Sequence, residues 1–215
     1  MIEMEEKNYL KTGTTTIGLK CKDGIILAAD KRAGGGIIVD KRAQKIYKIT
    51  DHTALTIAGT ASDAQLITKL ISAELRLMEI RKEKPVTIKE AANLLSGIVY
   101  QNIRKPSMIP GISHFIFAGK DDTGFHVFDI YPDGSLSECK DFISSGSGSV
   151  MAYGVLETLY NENITIAEGT QLAIKCINAA IQRDMNSGDG IDVISITDAG
   201  VKTVLTQEIQ NKVTT

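Results

Sequence analysis

The residues best suited to unusual chemistry lie near the start of the sequence, in KTGTTTIGLK, where Gly13 precedes three threonines, Thr14, Thr15 and Thr16. A threonine hydroxyl holds its proton tightly and is a poor nucleophile until a base sits beside it, and a free α-amino group on the same residue is such a base. An α-amine titrates at about 7.7–8.0, close to the pH at which general-base work is efficient. Thr14 has that amine only if the Gly13–Thr14 peptide bond is cut. Glycine suits the cut, because without a side chain it permits a strained turn and leaves its carbonyl open to attack. Three β-branched residues in a row are also an ordinary way to begin a strand. Taken alone, the dipeptide supports either reading.

Other chemistries fit less well. There is no GxSxG elbow, no HExxH and no cysteine beside a histidine. The stretch SGSGSVMAYG has glycines at Gly146 and Gly148 but neither the third glycine of GxGxxG nor a GK[ST], so it reads as a helix start with small residues. Three separated cysteines, Cys21, Cys139 and Cys176, argue against a disulfide framework and for a reducing compartment. His52, His114 and His126 are scattered, so no metal site is expected, and nothing calls for a cofactor. A formal charge of -2, from 24 basic against 26 acidic residues, argues against nucleic acid as a partner. The acidic start, MIEMEEKNYLK, lacks the apolar segment of a secretory signal, and no apolar run approaches a membrane span. The expectation is a soluble, cytoplasmic protein.

The elements that must position these residues follow from periodicity. Thr15–Cys21 alternates like a half-buried strand, KDG supplies a turn, and IILAAD continues as a buried strand to Asp30. Glycines 34–36 interrupt the pattern before strands at Lys45–Ile49 and Ala54–Ala58. A helix is predicted from Ser62, as N-cap, to Arg81, with Leu66, Ile67, Leu70, Ile71 and Leu75 on its apolar face. Thr87 and Glu90 form a capping box for a second helix reaching Arg104. Strands follow at His114–Gly119, Gly124–Tyr131 and Leu136–Phe142, then a helix at Ser149–Leu159. A second capping box, Thr165 with Glu168, opens a helix to about Met185, and strands at Asp192–Thr197 and Lys202–Leu205 complete the series. Short turns between paired strands imply antiparallel sheets, and helices arriving in pairs imply a helical layer on each side. The predicted class is α+β, a four-layer αββα sandwich.

The sequence resembles the β-subunits of the 20S proteasome, N-terminal threonine proteases of the Ntn-hydrolase fold, and is most like the archaeal form. The resemblance runs from Thr14 to the C-terminal region through GTTTIGLKCKDGIILAADKRA, KIYKI, TIAGTASDAQ, SSGSGSVMAYGVLE and IQRDMNSGDGIDV, in the family's order. It implies that residues 1–13 are a propeptide removed autocatalytically between Gly13 and Thr14, leaving a single domain over 14–215. It makes Thr14 the nucleophile, with Asp30 orienting Lys45 beside it, and Gly59 the backbone donor to the oxyanion. Ser147, Asp184 and Ser187 would fix the Thr14 amine and a water. The interval from Asp30 to Lys45 is one residue shorter than in some relatives, with Lys41 and Lys48 as the other candidates. RAGGG stands where the family often has RAT, so the segment at Gly34 is expected to be looser.

By the same resemblance, partners would be proteasome α-subunits and other β-subunits in stacked seven-membered rings. Unfolded polypeptide would be fed by a regulatory ATPase through the α-ring. Two alternatives stand beside this reading: an unprocessed, structural ring subunit, and another N-terminal-nucleophile amidohydrolase. The resemblance lines the primary pocket with Ala33, Gly34, Tyr47, Ile57 and Ala61, none of them charged. Fluorogenic peptides ending in leucine or an aromatic residue are therefore expected to be cut faster than acidic or basic ones, and the reverse order would refute this pocket.

Overall fold

The computed structural model describes residues 13–209. Residues 1–12 of the expected propeptide lie outside the described residues. Among the described residues twelve strands and four helices run in the order β1 Thr16–Cys21, β2 Gly24–Asp30, β3 Ala33–Gly34, β4 Ile38–Asp40, β5 Ile46–Lys48, β6 Thr53–Gly59, α1 Ala61–Lys82 and α2 Ile88–Ile103. They continue as β7 Ser113–Asp121, β8 Gly124–Ile130, β9 Leu136–Cys139, β10 Phe142–Ser145, α3 Ser149–Leu159, α4 Ile166–Arg183, β11 Gly190–Thr197 and β12 Gly200–Glu208. One five-stranded sheet has the order β10-β1-β2-β11-β12 and the other β5-β6-β7-β8-β9. All their pairings are antiparallel.

The layering follows from strand alternation. In β2 every residue is buried, because both faces are covered. Its Ile25, Leu27 and Ala29 meet Ile116, Ala118 and Val127 of the other sheet. Its Ile26 and Ala28 face the other way, onto Leu172, Ala173, Cys176 and Ile177 of α4. On the far side, Leu55, Phe115, Phe117 and Phe128 pack under Ile67, Ile71 and Leu95 of α1 and α2. The result is helices, sheet, sheet, helices, the αββα sandwich expected for an Ntn-hydrolase-like fold. Both capping boxes form: Thr87 with Glu90 at α2, and Thr165 with Glu168 at α4. Among the described residues no helix is long and apolar enough to cross a membrane.

Four local expectations are corrected. The strand predicted over Leu136–Phe142 is two strands in different sheets, β9 pairing with β8 and β10 with β1. The break falls at Asp141, whose carboxylate accepts the Phe142 N–H at 2.7 Å while its carbonyl accepts the Lys20 N–H at 2.7 Å. The glycine-rich break after Ala33 contains a small hairpin, β3 with β4. The cap of α1 is Thr60 rather than Ser62, since Thr60 is held at the end of β6 by its N–H to the Ile112 carbonyl, at 2.7 Å. Leu66 and Leu70 are exposed, because α1 turns Ala64, Ile67, Thr68, Ile71 and Leu75 inward and these two leucines outward.

This last difference has a measurable consequence. Ile71→Ala opens a cavity in a fully buried position and is expected to cost about 2–5 kcal/mol. Leu70→Ala, on the outer face of the same helix, is expected to stay within about 0.5 kcal/mol. Urea denaturation of the unassembled chain distinguishes the two; equal losses would contradict the assigned helix face.

Candidate active site

Thr14 stands just before β1, at the end of the sandwich where β2 finishes in Asp30. Pairing of β1 with β2 sets Thr16 opposite Ala29, so Asp30 falls beside Thr15, and its N–H donates to the Thr15 carbonyl at 3.2 Å. Lys45 immediately precedes β5 and is held by its carbonyl, which accepts the Ile57 N–H from β6 at 2.9 Å. Its ammonium crosses to Asp30 Oδ1 at 2.7 Å. Neither alternative lysine approaches: Lys48 pairs with Asp51 at the surface, and Lys41 is exposed. Thr14, Asp30 and Lys45 are all buried.

The Asp30 carboxylate is fully engaged. Oδ1 takes the Lys45 ammonium and the Thr15 N–H at 2.9 Å, while Oδ2 takes the N–H groups of Arg32 at 3.0 Å and Gly188 at 2.9 Å. Such an ion pair is costly to bury and survives because its hydrogen bonds are complete. Lys45 also donates to the Gly13 carbonyl at 3.3 Å, and the Thr14 hydroxyl donates to the same oxygen at 2.7 Å. A hydroxyl and an ammonium thus converge on one peptide carbonyl. Burial pushes the Lys45 ammonium below its ordinary 10.5, with the Asp30 charge opposing the shift.

A second carboxylate organises the other side. Asp184 is the C-cap of α4, and its Oδ2 accepts the hydroxyls of Ser147 and Ser187, each at 2.6 Å. Ser147, in the turn between β10 and α3, accepts the Thr14 N–H at 3.3 Å. The Thr14 N–H donates to the Ser147 hydroxyl, which donates in turn to the Asp184 carboxylate, a chain that ends on that acceptor. The turn approaches so closely that a Cβ at Gly146, where φ is +88°, would lie 2.0 Å from the Thr14 carbonyl oxygen. Glycine is the residue that tolerates both that torsion and that contact.

The remaining sequence-selected residues surround this core. Gly34 of β3 accepts the Gly13 N–H at 3.3 Å, and Ala33 precedes it. Gly59 ends β6 with φ +104°, opposite Ser113. Ile57 and Tyr47 point into the cluster under α1 and α2, and Ala61 opens α1 at the surface. A hollow of about 40 Å³ bordered by Arg32, Gly34, Ile38, Met185 and Asn186 lies beside Gly13. A wider cleft of about 520 Å³, between the α1–α2 connection and the β7–β8 turn, includes none of the residues that converge on Thr14.

Sequence reasoning missed several participants. Thr15 was assigned only to strand formation, yet its hydroxyl meets Ser187 Oγ at 2.7 Å and its N–H binds Asp30. Arg32 binds Asp189 at 2.7 Å and the Met185 carbonyl at 2.9 Å, which pins the loop after α4. Asn186 packs directly on Gly13. The available signal was the density of small polar residues in RDMNSGDG, which is excessive for a simple helix-to-strand loop.

A family described as "Proteasome subunit" matches residues 10–196, nearly the whole of the described sandwich. The chain belongs to the proteasome subunit family. It is 45% identical over 199 residues to the proteasome subunit beta of Ferroglobus placidus, covering 92% of this chain and 93% of the relative. It is 44% identical over 208 residues to the proteasome subunit beta of Archaeoglobus profundus, covering 96% and 94%. Against the proteasome subunit beta of Methanocaldococcus vulcanius the identity is 45% over 199 residues, covering 92% and 87%. Membership therefore extends over the segments that carry the Thr14, Lys45 and Ser147 contacts.

The state of the Lys45–Asp30 pair leads to a pH-dependent prediction. Between the lowered native value of Lys45 and 10.5 the unfolded chain binds more protons than the folded one. This contribution to stability therefore rises with pH across that window and is lost as pH falls through the native value. Asp30→Asn removes the opposing charge and lowers the native value further. The variant is expected to lose about 3–5 kcal/mol at neutral pH. Part of that loss should return as the pH rises from the variant's native Lys45 value to the parent's, where the variant's folded lysine is already neutral and the parent's is still charged. Denaturant titrations across this range give the answer; a pH-independent loss would overturn it.

Proposed function

We propose that this chain is a catalytic β-type subunit of a proteasome core particle, a threonine endopeptidase made competent by autocleavage between Gly13 and Thr14. The observation that carries the reading is the Gly13 carbonyl, which receives the Thr14 hydroxyl at 2.7 Å and the Lys45 ammonium at 3.3 Å. In the self-cleavage step Thr14 Oγ1 adds to the Gly13 carbonyl carbon. The negative charge that develops on the carbonyl oxygen is met by Lys45. The bond from carbon to the Thr14 nitrogen then breaks as that nitrogen gains the proton given up by the hydroxyl. The resulting ester is hydrolysed by water to the Gly13 carboxylate, restoring the Thr14 hydroxyl beside a free amine.

In the processed chain the Thr14 amine serves as the base for its own hydroxyl, which attacks a peptide carbonyl and forms an acyl-enzyme that water releases. Lys45 lowers the proton affinity of the amine by like-charge repulsion, with Asp30 holding the ammonium in place. Ser147, Asp184 and Ser187 orient the amine and the hydrolytic water, and the Gly59 N–H supports the oxyanion. Ala33, Gly34, Tyr47, Ile57 and Ala61 line the apolar primary pocket. Before processing, the nitrogen of Thr14 is an amide and cannot act as a base, so residues 1–13 keep the subunit inert. The reading extends to partners: α-subunits and other β-subunits in stacked seven-membered rings, an ATPase acting through the α-ring, unfolded polypeptide as substrate, and a cytoplasmic location. The relatives' names as archaeal proteasome beta subunits support it.

Intact-mass analysis after co-assembly with α-subunits tests the proposal. The expected chain begins at Thr14, is labelled by a threonine-directed electrophile, and in the Thr14→Ala form retains Met1 and takes no label. Fully assembled particles whose chains still begin at Met1 would assign the subunit a structural role instead.

A further inference from the structure

Asn186 has no place in the chemistry described so far, yet its atoms are the nearest to the point where a side chain on Gly13 would begin. A Cβ added at Gly13 would lie 1.6 Å from Asn186 Cβ, 2.6 Å from its Cγ and 2.8 Å from its Cα. Real Cβ atoms do not approach neighbours so closely. The obstacle is also not the tip of a flexible side chain: the nearest atom is Asn186's own Cβ, which no rotamer change moves. Any residue other than glycine before Thr14 therefore requires the Asn186 backbone to retreat.

That retreat is opposed from both sides. The Asn186 N–H donates to Asp184 Oδ1 at 3.1 Å, while Oδ2 of the same carboxylate holds Ser147 and Ser187. From the other side Arg32 binds the Met185 carbonyl at 2.9 Å and Asp189 at 2.7 Å, and its guanidinium fills the space beside Gly188. The loop carrying Asn186 is thus tied into the network that orients Thr14. Moving it by the distance a methyl group needs would disturb Asp184 and the two serines together.

We propose that Asn186 is a positioning residue for autocleavage, a steric wall that admits only glycine before Thr14 and holds the Gly13 carbonyl under the Thr14 hydroxyl and Lys45. This rests on the autocleavage reading above and adds what selects the cutting point. Thr14, Thr15 and Thr16 are three consecutive threonines, and the wall singles out the one that follows glycine. The preference for glycine then comes from tertiary packing by a residue far along the chain, in addition to the freedom of a glycine backbone.

A set of paired substitutions tests the wall. Gly13→Ala is expected to slow self-cleavage at least tenfold in co-assembled particles, read by intact mass over time. Adding Asn186→Ala keeps the obstructing Cβ, so Gly13→Ala/Asn186→Ala should remain slow. Adding Asn186→Gly removes it, so Gly13→Ala/Asn186→Gly should regain cleavage at least tenfold over the alanine pair. A purely structural role for Asn186 predicts no such rescue. Equal rates for the two double variants, or unimpeded cleavage by Gly13→Ala alone, would overturn the proposal.

The same cycle is repeated in the Thr14→Ala chain, which cannot cleave, with thermal denaturation as the readout. Gly13→Ala should lower Tm, Asn186→Gly should return part of the loss, and Asn186→Ala should return none. The opposite pattern would reject the wall. If the parent chain is never processed but this thermal pattern appears, the autocleavage reading fails while the steric wall stands.

Discussion

Lys45 and Asp30 form an ion pair shielded from water, and the local backbone is arranged around its carboxylate. Three N–H groups end on this carboxylate, that of Thr15 on the oxygen that also takes the ammonium and those of Arg32 and Gly188 on the other. Those donors come from the start of β1, the residues after β2 and the loop before β11. One carboxylate therefore fixes three chain segments relative to one another. Burying two charges is expensive unless their hydrogen bonds are complete, which leaves little freedom in how these segments sit. The Thr14 hydroxyl is poised because the strand beside it is part of that arrangement.

The sandwich supplies the rigid support. With both faces of β2 covered, the strand that ends in Asp30 cannot slip by one residue without turning its whole apolar set outward. The register of β1 against β2 is set by the same packing and delivers Thr15 to Asp30. On the second sheet, β6 holds the Lys45 carbonyl, so the lysine reaches across the interior from the residue just before β5 of the other layer. The site sits where the two sheets meet at one end, and each sheet contributes one member of the pair.

Asp184 plays the same part for the second half of the site. As the C-cap of α4 it sits where a helix ends and the chain turns toward β11. Its two oxygens divide their work between the serines on one side and the Asn186 backbone on the other. The serines, one of which accepts the Thr14 N–H, and the backbone that packs on Gly13 are therefore coupled through a single carboxylate.

Much of this was legible in the residues alone. The Gly13–Thr14 junction, the buried strand ending at Asp30, both capping boxes and the order of paired strands and paired helices follow from local pattern, which a periodicity argument can read. The family resemblance supplied the choice of Lys45, Ser147, Asp184 and Ser187. What needed the tertiary structure were matters of long-range pairing. Periodicity marked Leu66 and Leu70 as apolar but could not reveal that α1 meets its sheet along a narrower stripe. Alternation ran through Leu136–Phe142 without showing that the chain changes sheets there, because both halves are equally strand-like. Among three nearby lysines, only the pairing of β5 with β6 selects the one that turns inward. Thr15 and Ser187 are 172 positions apart, and nothing local to either predicts their contact. The sequence by itself determined the Gly13–Thr14 junction, the two capping boxes and most of the strand- and helix-forming segments. The fold alone decided which of them meet, because strand register and close packing act across the whole length of the chain.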